Sequence, residues 1–102
     1  MIQVEIQHTG TSISGLEVTG HADLSAAGTD ILCAAVSVLS ENLGSSLALL
    51  LKIPVDIEKR KGFYSVRVEQ SKLSAGTDLL FHSALLGLRV LSEQFPNRLK
   101  LL

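Results

Sequence analysis

The sequence predicts an α/β protein of the α+β kind, a single domain in the order β-β-α-β-β-α whose sheet packs against two helices. Three observations predict it. The N-terminal residues alternate apolar and polar, two longer segments carry apolar residues every three or four positions, and a pair of extended runs around a Gly turn separates those segments. A chain of 102 residues fits one domain, 1–102, long enough to close a modest core without a metal or disulfide. With no Trp, one Tyr and three Phe, the 46% hydrophobic share is mostly aliphatic, so a core of Leu, Val, Ile and Ala is expected.

Residues 2–8 read as the first strand, with Ile2, Val4 and Ile6 on one side and Gln3, Glu5 and Gln7 on the other. His8-Thr9-Gly10-Thr11 is turn chemistry, and a second extended segment carries Ile13, Leu16 and Val18. Its parity slips at Gly15, which predicts a bulge that re-aims the residues leading into Gly20 and His21. The small, polar stretch 22–28 reads as a mobile loop. From Thr29 or Asp30 onward, Leu32, Val36, Leu39, Leu43, Leu47 and Leu50 predict a helix capped by Thr or Asp, with Gly44 inside it. After Pro54, residues 55–58, 60–62 and 63–69 read as strand, turn and strand. A second helix is expected from about Ser74 to Phe95, stopped by Pro96 and Asn97, with a short terminal strand over 99–102.

Residues 26–32, Ala-Ala-Gly-Thr-Asp-Ile-Leu, resemble residues 74–80, Ser-Ala-Gly-Thr-Asp-Leu-Leu, and both helices later carry Leu-Ser-Glu. An internal repeat and shared capping chemistry explain this equally well. At the position of Cys33 the second half has Phe81, so only the first half carries chemistry.

A formal charge of -1 offers no field for a polyanion, so no direct nucleic-acid partner is expected. The run Lys59-Arg60-Lys61 beside Gly62 reads as a solvated hairpin turn. A single Cys forms no internal disulfide and fits a reducing cytoplasm. Residues 2–6 show no secretory pattern, and the most apolar stretch, Leu47 to Leu51, is too short to span a bilayer, so no membrane partner is expected. One Cys and three scattered His match no metal template, and no cofactor is implied. His8 and His82, lacking a nearby Cys or carboxylate pattern, read as structural or surface residues.

Cys33 is expected within the first turn or so of helix one, where free N–H groups and the positive end of the macrodipole favour a thiolate. His21 is its nearest candidate partner, if the loop folds back so that strand end and helix start meet. Asp30 and Ser37 share the face of Cys33. Asp30 either orients His21 or is an ordinary first-turn acid, and Ser37 either donates to the site or bonds the backbone four residues back. A lone Cys on a helix is otherwise a small buried hydrophobe.

Gly20-His21-Ala22, Gly28 and Asp30-Ile31-Leu32-Cys33-Ala34-Ala35-Val36-Ser37, with eleven residues between His21 and Cys33, resemble the motif of the bacterial ribosomal-processing cysteine proteases, the Prp family. The resemblance spans essentially the whole chain. It implies a cytoplasmic, homodimeric endopeptidase that removes the N-terminal extension of large-ribosomal-subunit protein twenty-seven, cutting after a pair of aromatic residues. It maps the nucleophile onto Cys33 and the base onto His21, with Gly20, Ala22, Asp30 and Ser37 at the remaining motif and substrate-binding positions. Oxyanion donors are expected from the start of helix one and from residues 20–22, and an aliphatic groove between loop and dimer partner for the substrate aromatics. The sequence departs from the family in its loop, where an aromatic is common, and at Thr29, where Lys is frequent. A non-enzymatic ribosome-assembly module and a redox sensor built on Cys33 are the rival readings.

Overall fold

The alternation of the first twenty residues is that of a hairpin: β1 (Ile2–Thr9) and β2 (Ser12–Gly20) pair antiparallel around Gly10, whose φ of 64° suits a residue without a Cβ. The structure is a computed structural model describing residues 1–20 and 27–102, with 27–30 described in backbone alone. The bulge predicted at Gly15 falls one residue earlier. Gln7 pairs with Gly15 and His8 with Ile13, which leaves Ser14 without a partner in the β1 register and turns both Ile13 and Leu16 inward. Asp78 Oδ1 accepts the Ile13 N–H at 3.3 Å, tying the second helix to this bulge.

Helix α1 (Ala27–Leu49) begins two or three residues before the predicted start, so residues 27 and 28, assigned to the loop from sequence, are helical. The rest of that loop lies outside the described residues. β3 (Asp56–Arg60) and β4 (Phe63–Arg67) form the second hairpin, and a 3-10 turn over Gln70–Lys72 leads to α2 (Ala75–Gln94). Ser74 caps α2 in a reciprocal box: its hydroxyl accepts from the Thr77 N–H, and its own N–H donates to Thr77 Oγ1. The internal likeness thus marks equivalent helix starts, each opening on Ala-Gly-Thr-Asp.

The predicted terminal strand forms as β5 (Leu99–Leu101), parallel to β1 at the sheet edge. The five-stranded sheet is therefore mixed, in the order β3-β4-β2-β1-β5. Cross-strand neighbours Ile2 and Leu99, Val4 and Val18, and Leu16 and Val66 are buried, and one cluster joins them to Leu32, Val36, Leu43 and Leu47 of α1 and Phe81, Ala84 and Leu88 of α2. This makes a two-layer domain of sheet and helix pair. Ile31–Leu49 is long and apolar enough to cross a membrane, with a mean hydropathy of 1.4, a longer stretch than the Leu47–Leu51 segment singled out above. Its four buried side chains in the shared cluster make it a core helix of this domain.

Candidate active site

Three elements enclose a cleft of about 280 Å³: the start of β1 and end of β2 at the sheet, one face of α1, and the β3–β4 hairpin. Gly20 ends β2 at a φ of 92°, and a Cβ there would overlap the Met1 carbonyl, so neither the torsion nor the space admits a larger residue. Its N–H donates to the Gly62 carbonyl at 2.9 Å, which fastens the strand end to the hairpin turn. Gly44 serves the same cleft from the helix side. A Cβ there would overlap Tyr64 Oη, so its absence lets the phenol lie against α1.

Of the predicted site residues, the fold brings Cys33, Gly20 and Ser37 to this one cleft, with Cys33 half-buried and Ser37 exposed. His21 and Ala22 lie outside the described residues; in sequence they directly follow Gly20. Asp30 falls in the first turn of α1. Two expectations are corrected. Cys33 is the seventh residue of α1, about 9 Å along the axis from Ala27, beyond the first turn where free N–H groups and the macrodipole act. The Gly20 N–H, spent on Gly62, is not available as an oxyanion donor.

Sequence reasoning missed the other half of the wall: Ser40 and Glu41 of α1 and Lys59, Arg60, Phe63 and Tyr64 of the hairpin. Lys59 and Arg60 are strand residues at the cleft rather than a solvated turn, which is formed by Lys61 and Gly62. Lys59 Nζ pairs with Glu41 Oε1 at 2.9 Å across the cleft, while Arg60 pairs with Glu58 and lies 3.9 Å over the Phe63 ring. The lining is therefore aromatic and polar as well as aliphatic; the aliphatic groove expected between the loop and a dimer partner lies outside the described residues. The available signal was the spacing of Cys33, Ser37 and Ser40, which interrupts the apolar pattern of α1 along one face. His82 is exposed as expected, but it has a carboxylate neighbour: its Nδ1 lies 3.4 Å from Asp78 Oδ2 and 2.8 Å from the Asp78 carbonyl. Among the described residues no group of three or more His, Cys, Asp or Glu is placed to hold a metal.

Tyr64 is 9% exposed, and burial, reinforced by the nearby Glu41 carboxylate, pushes its phenol above the usual value of 10.0. The folded phenol keeps its proton at a pH where the unfolded one has lost it, so this group's contribution to stability falls as pH rises through about 10. Tyr64 is the single tyrosine of a chain without tryptophan, so ultraviolet absorbance reports it alone. An alkaline titration is expected to show a midpoint above that of free tyrosine, and Glu41→Gln to lower it only partway, because burial is the larger cause. A midpoint at the free value would contradict this account of the cleft wall.

Comparison with known proteins gives a consistent family and fold. The family model of the cysteine protease Prp matches residues 1–100. SMU.848 from Streptococcus mutans is 32% identical, with a TM-score of 0.78 over 99% of this chain and 91% of that one. The essential ribosomal processing protease Prp from S. aureus, solved with a substrate peptide, is 22% identical, with a TM-score of 0.87 over 100% and 98% of the two chains. The same S. aureus protease with a covalently linked product peptide is 23% identical, with a TM-score of 0.86 over 99% and 97%. These last two share the fold. No curated protein matches.

Proposed function

The chain belongs to the cysteine protease Prp family, and on that premise we propose that it removes the N-terminal extension of large-ribosomal-subunit protein twenty-seven, with Cys33 as nucleophile and His21 as general base. The observation that carries this reading is that the chain's one cysteine lines the cleft. The S. aureus relative of the same fold, solved with a substrate peptide and with a covalently linked product peptide, supports it. In sequence His21 directly follows Gly20, which lines the cleft and whose N–H donates to the Gly62 carbonyl of the hairpin.

In this mechanism His21 takes the Cys33 proton and the thiolate attacks the scissile carbonyl. The tetrahedral oxyanion collapses to a thioester as His21 returns the proton to the leaving amine. Water, deprotonated by His21, then releases the acid product and the free thiol. The Cys33 N–H lies inside the helical ladder and that of Gly20 is spent on Gly62, so the oxyanion draws on the N–H groups of residues 21 and 22 together with those left free at the start of α1. Asp30 orients the imidazole, and Ser37, one turn beyond Cys33, contacts substrate together with Gly20 and Ala22. The enzyme acts in the cytoplasm, where a lone thiol stays reduced, and as a homodimer. Supporting the dimer, the outer faces of the helices expose Val38 and Val90 around Ala34, Ala35 and Gly87, an apolar patch suited to a second copy.

Incubating the chain with the precursor protein is expected to give one new N-terminus after the aromatic pair, and no product with His21→Ala. Precursor bound tightly but left uncut by the unmodified chain would favour the assembly-module reading instead.

A further inference from the structure

Cys33, Ser37 and Ser40 follow one another along a single face of α1, and all three line the cleft. Ser40 differs from the other two. It is 1% exposed, and its Oγ is buried without a hydrogen-bond partner, the single such side-chain atom among the described residues. A hydroxyl in that state has given up water and gained nothing in return, so the free protein holds an unmet hydrogen-bonding capacity on its cleft floor. The charged side chains of the wall are already matched, Lys59 with Glu41 and Arg60 with Glu58.

Resting on the reading of this cleft as the peptide site, we propose that Ser40 is a specificity-determining residue whose hydroxyl hydrogen-bonds a neutral group of the bound peptide. It lies seven positions beyond Cys33, about 10 Å along the axis, which is roughly three residues of extended chain. The contacted group therefore belongs to the third residue from the cleaved bond, as its main-chain amide or a neutral amide or hydroxyl side chain. A charged group is disfavoured, because a lone hydroxyl cannot offset its desolvation. The Lys59–Glu41 pair joins two walls of the same cleft; both side chains are substantially exposed, at 63% and 42%, so the tie is weak, and the contact requires it to part and uncover the Ser40 Oγ as the peptide seats.

The test uses the full chain and a synthetic peptide spanning the cleavage sequence of the extension. Ser40→Ala is expected to lower kcat/KM by about tenfold, and to weaken peptide binding by a similar factor in a Cys33→Ala background. Its melting temperature should equal or exceed that of the parent, because the lost hydroxyl had no partner in the free protein; a structural serine would lower it. Two peptide variants then identify the contact, one N-methylated at the third residue and one with that side chain cut back to Ala. One of them should bind the parent more weakly and bind Ser40→Ala no worse than the unmodified peptide does. Kinetics and affinity within twofold of the parent, a lowered melting temperature, or a penalty unaffected by both peptide changes would each overturn the assignment. If the unmodified chain binds the peptide without cutting it, the protease reading fails while Ser40 is still judged by affinity. If the peptide does not bind, the Ser40 contact falls as well.

Discussion

Cys33→Ala is expected to abolish precursor cleavage, lowering kcat/KM by at least about four orders of magnitude, while the chain keeps its fold and still binds peptide. The size of the loss follows from the chemistry. The chain has no second thiol to form the acyl-enzyme, and the remaining groups of the cleft only bind and polarise. The tolerance of the fold follows from the surroundings. Cys33 is half-buried at the edge of the core cluster, and Ala is the best helix former, so an unchanged melting temperature should accompany the lost activity. Mass spectrometry of the precursor after long incubation checks the first half and thermal unfolding the second. Cleavage that persists in Cys33→Ala would remove the proposed mechanism.

The second large effect concerns stability. Phe81 sits at the α2 position that corresponds to Cys33 in α1; its side chain is 0% exposed and is the largest among the fully buried residues. Phe81→Ala is expected to cost about 3–5 kcal/mol, through lost burial and the cavity left in the cluster it shares with the sheet and α1. Against a total of about 5–15 kcal/mol for a domain, this brings the protein close to unfolding at ambient temperature. Urea denaturation should show a midpoint shifted far down with little change in slope. A shift worth under about 1 kcal/mol would mean that the core repacks around the gap, contrary to the close packing expected here.

The pair formed by Cys33 and Phe81 also shows what was legible in the sequence. Period-two and period-3.6 patterns are local, so the strands, the helices and the small terminal strand could be read directly. The bulge was legible as a parity slip, though its unpaired residue, Ser14, is fixed by pairing with β1 and could not be read from β2 alone. The start of α1 was misplaced because Thr29 and Asp30 look like caps, yet helical backbone already begins at Ala27. The face shared by Cys33 and Ser37 was readable from helical spacing. The hairpin wall was not: Lys59 and Arg60 lie far from Cys33 in sequence, and only the β2–β4 pairing swings the hairpin over α1. A charge run in isolation carries no sign of the partner that will neutralise it, here Glu41.

The parallel pairing of β5 with β1 bears on how the chain reaches this state. Ile2, which lines the cleft, gains its outer neighbour Leu99 from nearly the opposite end of the polypeptide. Closing so long a loop is entropically slow, and contacts of such sequence separation delay folding. The first hairpin can form early, but the edge that carries Ile2 acquires its neighbour only once β5 is free to dock. Completion of the sheet edge beside the cleft therefore waits on residues 99–101, a consequence of strand order alone.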